Sequence, residues 1–185
     1  LRTLEEAGFE AYCVGGCVRD TLLGREPGDW DITTSAWPEE TLALFGEDAL
    51  PTGLRHGTVT VRRPGGCAEV TTFRRDGDYT DHRHPESVAF TDSLTEDLAR
   101  RDFTVNAMAL SLRGELRDPF HGREDLAAGR IRCVGEPARR FGEDALRILR
   151  GLRFAAVLGF SIEPETAAAL SAAREDLRAI APERI

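Results

Sequence analysis

A pair of adjacent glycines, Gly15 and Gly16, separates two segments of different pattern and limits the path that the chain can take. Residues 9–14 are short and apolar, which is typical of a strand, and residues 17–23 have a helical pattern that ends at Gly24. Glycine permits a tight turn and lets backbone amides approach an anion, and the following helix directs its positive dipole end toward that anion. The sequence therefore predicts a strand–turn–helix unit with a phosphate-binding turn.

The rest of the first two thirds has the pattern of a small sheet with helices. Short apolar or alternating segments bounded by turn residues predict strands at residues 30–34, 57–63, 67–74, 110–112 and 115–117. Helical signals predict helices at residues 39–45, after Pro38, and at residues 94–101, and a turn or helix at residues 104–108. Ser93 and Glu96 fit a capping box at the start of the second helix. Residues 75–87 lack apolar periodicity, which predicts a mobile loop.

From about residue 125 the composition shifts to alanine, leucine, arginine and glutamate. Apolar residues recur at helical spacing, at Leu146, Leu149, Leu152 and Ala156, and residues 167–180 repeat the pattern. The sequence therefore predicts two parts, a mixed α and β part at residues 1–124 and an all-helical part at residues 125–185.

Composition excludes several classes of protein. No apolar run approaches the roughly 18–20 residues that span a bilayer, and residues 1–6 lack the layout of a signal peptide, so we expect no membrane partner and a cytoplasmic location. The net charge of −8 argues against a protein that coats nucleic acid by bulk electrostatics, but the basic residues are arginines, which suit local contacts with phosphate or base edges. The four cysteines lack C-x-x-C spacing, which favours reduced, mostly buried thiols over a zinc site.

Asp29 and Asp31 flank one residue at the start of the second predicted strand. Side chains at i and i+2 of a strand point to the same face, so both carboxylates would face one point. Such a pair can hold two Mg²⁺ ions, one that activates a hydroxyl and one that neutralises a triphosphate leaving group. An Asp-x-Asp by itself is more often a solvated loop edge. The phosphate-binding turn some thirteen residues earlier, followed by Arg19, favours the metal site.

Four motifs in this order resemble those of the class II CCA-adding enzymes and bacterial poly(A) polymerases. They are GGCVRD with LLG and DWD at residues 15–31, RRDFTVNA at residues 100–107, DPFHG at residues 118–122 and FGEDALRILR at residues 141–150. The resemblance implies an α+β fold, with a polymerase β-like nucleotidyltransferase head whose small mixed β-sheet is flanked by helices. An all-helical neck would follow, and family members carry further body and tail regions.

The resemblance also implies roles for individual residues. Asp29 and Asp31 would be catalytic Mg²⁺ ligands, and Glu69 would be a third catalytic carboxylate unless it is a solvated strand residue. From their spacing of four residues, Asp102 and Asn106 would lie on one helical face and orient Arg101, unless Asn106 only caps or bridges backbone groups. The implied nucleotide contacts are Gly16, Arg19, Arg101, Asp102, Asn106, Asp144, Arg147, Arg150 and Arg153.

Asp144 and Arg147 also have a physical argument. A carboxylate only accepts hydrogen bonds and a guanidinium only donates them. Cytosine and adenine each present an amine donor beside an unprotonated ring nitrogen, whereas uracil and guanine present a carbonyl beside a ring N–H. Held at i and i+3 on one helix, the pair would accept CTP and ATP and reject UTP and GTP. The alternative is an ordinary surface ion pair.

The function expected from the resemblance is template-independent addition of C and A to the 3′ end of tRNA, from CTP and ATP, with Mg²⁺ as cofactor. The strand at residues 57–61 and the loop at residues 75–85 resemble the full CCA-adding branch, although His84 stands where the family usually has a second arginine. The alternatives are an enzyme that adds only A, a poly(A) polymerase, and, from another class, a catalytically silent nucleotide-binding or RNA-binding module.

Overall fold

In the computed structural model, which describes residues 1–77 and 88–180 except the side chain of Ala179, helices pack on a mixed sheet. The helices are α1 (Arg2–Glu6), α2 (Gly16–Leu22), α3 (Pro38–Phe45), α4 (Leu94–Ala99), α5 (Gly122–Ala127), α6 (Pro137–Glu143), α7 (Leu146–Leu158) and α8 (Pro164–Ala172). Short 3₁₀ turns form at Gly46–Asp48, Leu54–His56, Thr104–Asn106 and Ala173–Ala179.

The main sheet has seven strands in the order β3-β4-β5-β2-β1-β8-β9. They are β1 (Ala11–Val14), β2 (Asp31–Thr34), β3 (Ala49–Gly53), β4 (Thr58–Arg63), β5 (Gly66–Thr72), β8 (Ala109–Leu110) and β9 (Leu116–Arg117). Two small pairs add β6 (Arg74–Asp76) with β7 (Val88–Phe90), and β10 (Arg130–Ile131) with β11 (Ser161–Ile162). In the main sheet β2 and β5 are parallel and the other neighbours are antiparallel.

The sheet register brings the predicted first unit to the second strand. Val14, the last residue of β1, lies opposite Asp31, the first residue of β2. The turn at Gly15 therefore lies at the same end of the sheet as Asp31. Asp31 in turn pairs with Glu69 of the parallel strand β5. The Gly15 turn, Asp31 and Glu69, which the sequence predicted to form the site, therefore lie at one end of the sheet.

Most of the predicted elements are confirmed. Ser93 caps α4, since its hydroxyl accepts the Glu96 amide at 3.3 Å. The predicted capping box is incomplete, because the Ser93 amide donates to the Thr91 hydroxyl and not to Glu96. Strand β3, at the sheet edge, was not predicted. Residues 78–87, which hold most of the predicted loop, lie outside the described residues, and the residues on either side of them pair as β6 and β7.

The part after residue 125 is mainly helical, but it also contains the parallel pair β10 and β11. The apolar spacing predicted the α7 helix but not its buried face. Arg147, Ile148 and Gly151 are buried, whereas Leu152 is 46% exposed.

One hydrophobic core continues across the predicted division at residues 124 and 125. It includes Cys13 and Val18 of the first unit, Phe103 next to the 3₁₀ turn at Thr104–Asn106, and Phe141 and Ile148 of the helical part. The predicted boundary itself falls inside α5. The division into head and neck stays a prediction, and the two parts share their packing.

None of the helices in the described ranges, 1–77 and 88–180, combines the length and apolar character needed to cross a membrane.

Candidate active site

A cavity of about 580 Å³ opens between the Gly15 turn, the end of β2 and helix α7. Ten of the twelve predicted site residues line it, and Asp29 and Glu69 do not. Its lining consists of Gly15, Gly16, Arg19, Asp31, Arg100, Arg101, Asp102, Asn106, Asp144, Leu146, Arg147, Arg150, Arg153 and Phe154. Six arginines face three aspartates here, so the wall is cationic around a small acidic region.

The Gly15 turn is shaped for close approach. Gly15 has φ 75°, a backbone conformation that favours glycine. A Cβ atom at Gly15 would lie 3.3 Å from Nη1 of Arg101 and 3.8 Å from Oδ2 of Asp31. The missing side chain therefore leaves space between the backbone, a guanidinium and a carboxylate, as a bound phosphate requires.

Asp31 is the carboxylate at the acidic side of the cavity. Part of its side chain is accessible to solvent, yet the cavity wall removes enough water to raise the pKa of the Asp31 carboxyl. The Arg101 charge lowers this pKa and the Asp29 charge raises it, and the net result is a pKa above the ordinary value. Asp31 is thus an incompletely compensated anion, which a cation would stabilise.

The other two predicted carboxylates have different positions. Asp29 lies two residues before β2 begins, so the alternation of a strand does not place its side chain, and its role as a metal ligand stays a prediction. Its charge does act on Asp31. Glu69 is the register partner of Asp31 on the parallel strand β5, and it is exposed. Register partners on adjacent strands point to the same side of the sheet, so Glu69 lies beside Asp31.

Arg101 is held by a residue that sequence reasoning missed. Asp97 of α4 is fully buried, and its Oδ2 accepts a hydrogen bond from Nη2 of Arg101 at 3.2 Å. Its Oδ1 accepts two from Arg100, at 2.9 and 3.0 Å. The expectation that Asp102 and Asn106 orient Arg101 is therefore wrong. The spacing of Asp97 from the two arginines, three and four residues on a helix, was the available signal.

Asp102 and Asn106 instead orient Arg150 and Arg19. Oδ2 of Asp102 accepts from Nε of Arg150 at 2.6 Å, and Oδ1 of Asn106 accepts from Nη1 of Arg19 at 2.9 Å. The two guanidinium groups lie over the ring of Phe154, 5.2 and 5.3 Å from its centroid. Phe154, which the sequence did not single out, thus links α2 and α7 by cation–π contacts.

Asp144 and Arg147 line the cavity but do not share a helix. Asp144 ends α6 with an extended backbone, φ −144°, and its Oδ1 accepts the Leu146 amide at 2.9 Å. Arg147 lies in α7, is buried, and donates to Glu143 at 2.6 Å and to the Arg100 carbonyl at 3.1 Å. The prediction of one helix is wrong, because α6 ends at Glu143 and α7 begins at Leu146.

The chain is similar to a known family of domains over most of its length. Residues 11–132 match the model of the poly A polymerase head domain. The chain belongs to this family. It is 53% identical to the CCA-adding enzyme of Lactobacillus helveticus over 185 residues, which are 100% of the chain and 46% of that protein.

Solved structures support the same assignment of the head domain. The crystal structure of the Bacillus stearothermophilus CCA-adding enzyme in complex with CTP has a TM-score of 0.90 and 47% identity, over 99% of this chain and 44% of that one. A tRNA nucleotidyltransferase complexed with a primer tRNA and an incoming ATP analog has a TM-score of 0.75 and 37% identity, over 95% of this chain and 50% of that one. The chain thus spans about half the length of its relatives, and the predicted fold class is confirmed.

The third motif of the head domain has a packing role. Both oxygens of Asp118 accept backbone amides at the start of α5, those of Gly122 at 2.7 Å and Arg123 at 2.9 Å. A Cβ at Gly122 would lie 2.1 Å from the Thr104 carbonyl oxygen. This motif therefore fixes the 3₁₀ turn that carries Asn106.

The donors at the acidic side of the head domain fit a hard divalent cation. Mg²⁺ is usually bound through one or two carboxylates together with substrate phosphates, and Asp31, with Asp29 close enough to act on its charge, would supply such carboxylates beside the arginines of the cavity. Within residues 1–77 and 88–180, no three His, Cys, Asp or Glu side chains are arranged to hold a metal alone. Water molecules or the phosphates of a nucleotide would complete the ligands of a metal bound here.

Proposed function

We propose that this chain is the catalytic part of an enzyme that adds C and A to the 3′ end of tRNA from CTP and ATP, without a nucleic-acid template. One observation carries the proposal: a single cavity brings Asp31, an arginine-rich phosphate site and the pair Asp144 and Arg147 together. The names of the relatives, which include enzymes with bound CTP and with primer tRNA, support the same reaction.

In this reaction the 3′ hydroxyl of the tRNA attacks the α-phosphorus of the nucleotide, and the bond to the β-phosphate oxygen breaks, which releases pyrophosphate. The negative charge of the triphosphate suits the guanidinium groups of the wall, which donate to phosphate oxygens. Arg153 has no hydrogen bond or ion pair within the described part of the chain, so its donors are open to the triphosphate or the primer. Asp29 and Asp31 would hold Mg²⁺, with Glu69 beside them, and the two ions would supply activation of the hydroxyl and neutralisation of the leaving group.

Base selection belongs to Asp144 and Arg147 in this proposal. Oδ1 of Asp144 accepts the Leu146 amide, whereas Oδ2 accepts no hydrogen bond from the described residues, so it can accept the exocyclic amine of cytosine or adenine. Arg147 is fixed by Glu143 and by the carbonyls of Arg100 and Arg140, which orients its donors. A uracil or guanine base would place a carbonyl against the carboxylate and a ring N–H against the guanidinium, and both contacts repel.

The deciding experiment supplies the full-length protein with Mg²⁺, tRNA that lacks its terminal nucleotides and one radiolabelled nucleotide at a time. We expect incorporation of C and A and rejection of U and G. Asp144→Asn should lose at least about 10-fold of the preference for CTP over UTP, because an amide presents a donor as well as an acceptor. Glu136→Gln, at the start of α6 outside the cavity, is the matched control and should keep the preference.

The same experiment distinguishes the alternative functions, because each predicts a different product. Addition of A alone to tRNA that ends in CC would indicate an A-adding enzyme, and long A tails would indicate a poly(A) polymerase. A wild-type protein that binds CTP but extends no primer would contradict the proposal and favour the silent binding module. A cytoplasmic location is part of the proposal, and the free cysteines, of which Cys13, Cys17 and Cys133 are buried, suit a reducing compartment.

A further inference from the structure

Asp97 lies behind the cavity and not in its lining, yet it contacts two residues that do line it. Its side chain is 0% exposed. Oδ1 accepts from Arg100, and Oδ2 accepts both from Nη2 of Arg101 at 3.2 Å and from the hydroxyl of Thr33 at 3.1 Å. The orientation of Oδ2 is thus fixed by β2, the strand that begins with Asp31.

The charge of Asp97 is maintained although the site is buried. Burial raises the pKa of the Asp97 carboxyl, but the charges of Arg100 and Arg101 outweigh burial and hold the pKa below its ordinary value. Asp97 is therefore anionic at neutral pH. A buried carboxylate paired with two guanidinium groups restricts their positions more than a solvated carboxylate does. Breaking either ion pair would leave a buried charge without a partner, which has a large cost in free energy.

Arg101 and Asp31 approach each other without pairing. Nη1 of Arg101 and Oδ2 of Asp31 lie 3.3 and 3.8 Å from the same point, the place of a Cβ on Gly15. In the described ranges no hydrogen bond or ion pair joins these two side chains, and the ion pair of Arg101 is with Asp97. A guanidinium released from Asp97 would still face Asp31, on which its charge already acts, and would form a charge-assisted pair with it.

We propose that Asp97 is a positioning residue that keeps Arg101 from pairing with Asp31, so that Asp31 stays open to a divalent cation and Arg101 stays open to the nucleotide. This inference rests on the proposed function, in which Asp31 holds Mg²⁺. In this inference Asp97 keeps the Arg101 guanidinium and the Asp31 carboxylate apart, since the two would otherwise neutralise each other inside the cavity.

The test compares Asp97→Asn with Asp125→Asn in the full-length protein. Asp125 is also a buried carboxylate, 3% exposed, that accepts from Thr104 and pairs with Arg132, but it lies outside the cavity. Binding of Mn²⁺ in the absence of nucleotide is measured by electron paramagnetic resonance, and KM and kcat for CTP are measured separately. We expect Asp97→Asn to weaken Mn²⁺ binding by about 10-fold and to raise KM, while Asp125→Asn binds Mn²⁺ like the wild type.

A double-mutant cycle shows whether Asp97 acts through Arg101. In an Arg101→Gln background the substitution of Asp97 should no longer weaken Mn²⁺ binding, because no guanidinium is left to pair with Asp31. If Asp97→Asn does not fold, Thr33→Val replaces it in the cycle, since it removes the hydroxyl that fixes Oδ2.

The possible results separate this inference from the proposed function. A wild-type protein that extends no tRNA overturns the proposed function. An active wild type whose Asp97→Asn variant binds Mn²⁺ as tightly as Asp125→Asn, or whose loss persists in the Arg101→Gln background, overturns only the role of Asp97.

Discussion

Asp31 shows, at the scale of one residue, that a side chain suited to a functional site can lower the free energy of unfolding. Its pKa is raised, so the folded protein favours the protonated carboxyl, and stability falls as pH rises from the ordinary Asp range through the raised value. We expect Asp31→Asn to stabilise the protein at neutral pH by less than about 1 kcal/mol, since solvent screens the accessible side chain, and to lose about 10³-fold or more in nucleotidyl transfer.

Thermal unfolding between pH 3 and pH 8, together with the extension assay, tests this prediction. The stability difference between Asp31→Asn and wild type should be absent at the acid end, where the Asp31 carboxyl is protonated in both the folded and the unfolded protein. It should reach its full value at the neutral end. A variant that is less stable than wild type at neutral pH would contradict it.

Gly122 has a steric requirement that sequence alone does not reveal. A Cβ there would lie 2.1 Å from the Thr104 carbonyl oxygen and 2.9 Å from Cγ of Met108, and a backbone atom cannot move aside as a flexible side chain can. We expect Gly122→Ala to cost about 3 kcal/mol or more in the free energy of unfolding, measured by urea denaturation. Gly142→Ala in α6, where a Cβ meets no heavy atom within 4 Å, is the control and should be neutral or stabilising by up to about 1 kcal/mol.

At the scale of elements, the sequence predicted correctly those features that depend on one residue and its chain neighbours. The Gly15 turn and the Ser93 cap were predicted because one side chain, or its absence, determines each. The break between α6 and α7 was missed, because helical periodicity continues on both sides of it and the hydrogen bond from the Leu146 amide to the Asp144 side chain is visible only in the structure. Strand β3 was missed because its residues are exposed or partly exposed and contain Pro51, so no alternation marks them.

In the candidate site, too, the sequence predicted local features better than contacts between distant elements. The motifs predicted which arginines and carboxylates enter the cavity, but not which of them pair. The partners of Arg19 and Arg150, which are Asn106 and Asp102, lie far away in the sequence and are brought close by the tertiary fold. The partner of Arg101 is Asp97, only four residues away, and its spacing was a local signal.

Helix α8 depends on a charged cap. Glu163 accepts the amides of Thr166 at 2.8 Å and Glu165 at 3.1 Å. Burial alone would raise the pKa of Glu163, but these backbone donors outweigh it and hold the pKa below its ordinary value. The stability it contributes is therefore present above the ordinary Glu range and is lost as pH falls through the lowered pKa. We expect Glu163→Gln to cost about 1 kcal/mol at pH 7 and nothing near pH 2, as measured by urea denaturation. An equal cost at both pH values would show that charge is not involved.

At the scale of the whole molecule, the shared core decides how the predicted head and neck unfold. Phe103 packs in one cluster with Phe141 and Ile148, and its ring meets that of Phe154 edge to face at a centroid distance of 5.9 Å. Neither part keeps this cluster buried alone, and the cavity is lined from both sides of residue 124. Separate units would bury separate clusters. The packing therefore predicts that both parts lose their structure together.

Two probes test this coupling in the 185-residue chain. The two tryptophans, Trp30 and Trp37, both report on residues 1–124, while far-UV circular dichroism is dominated by helices, of which the two longest, α7 and α8, follow residue 125. We expect both signals to change at the same urea concentration. CTP with Mg²⁺ at about 100 times its dissociation constant should stabilise both transitions equally, by about 2.7 kcal/mol, because the nucleotide would contact both parts. Loss of helical signal at a lower urea concentration than the change in fluorescence, or a shift of only one transition by CTP, would show that the two parts unfold separately.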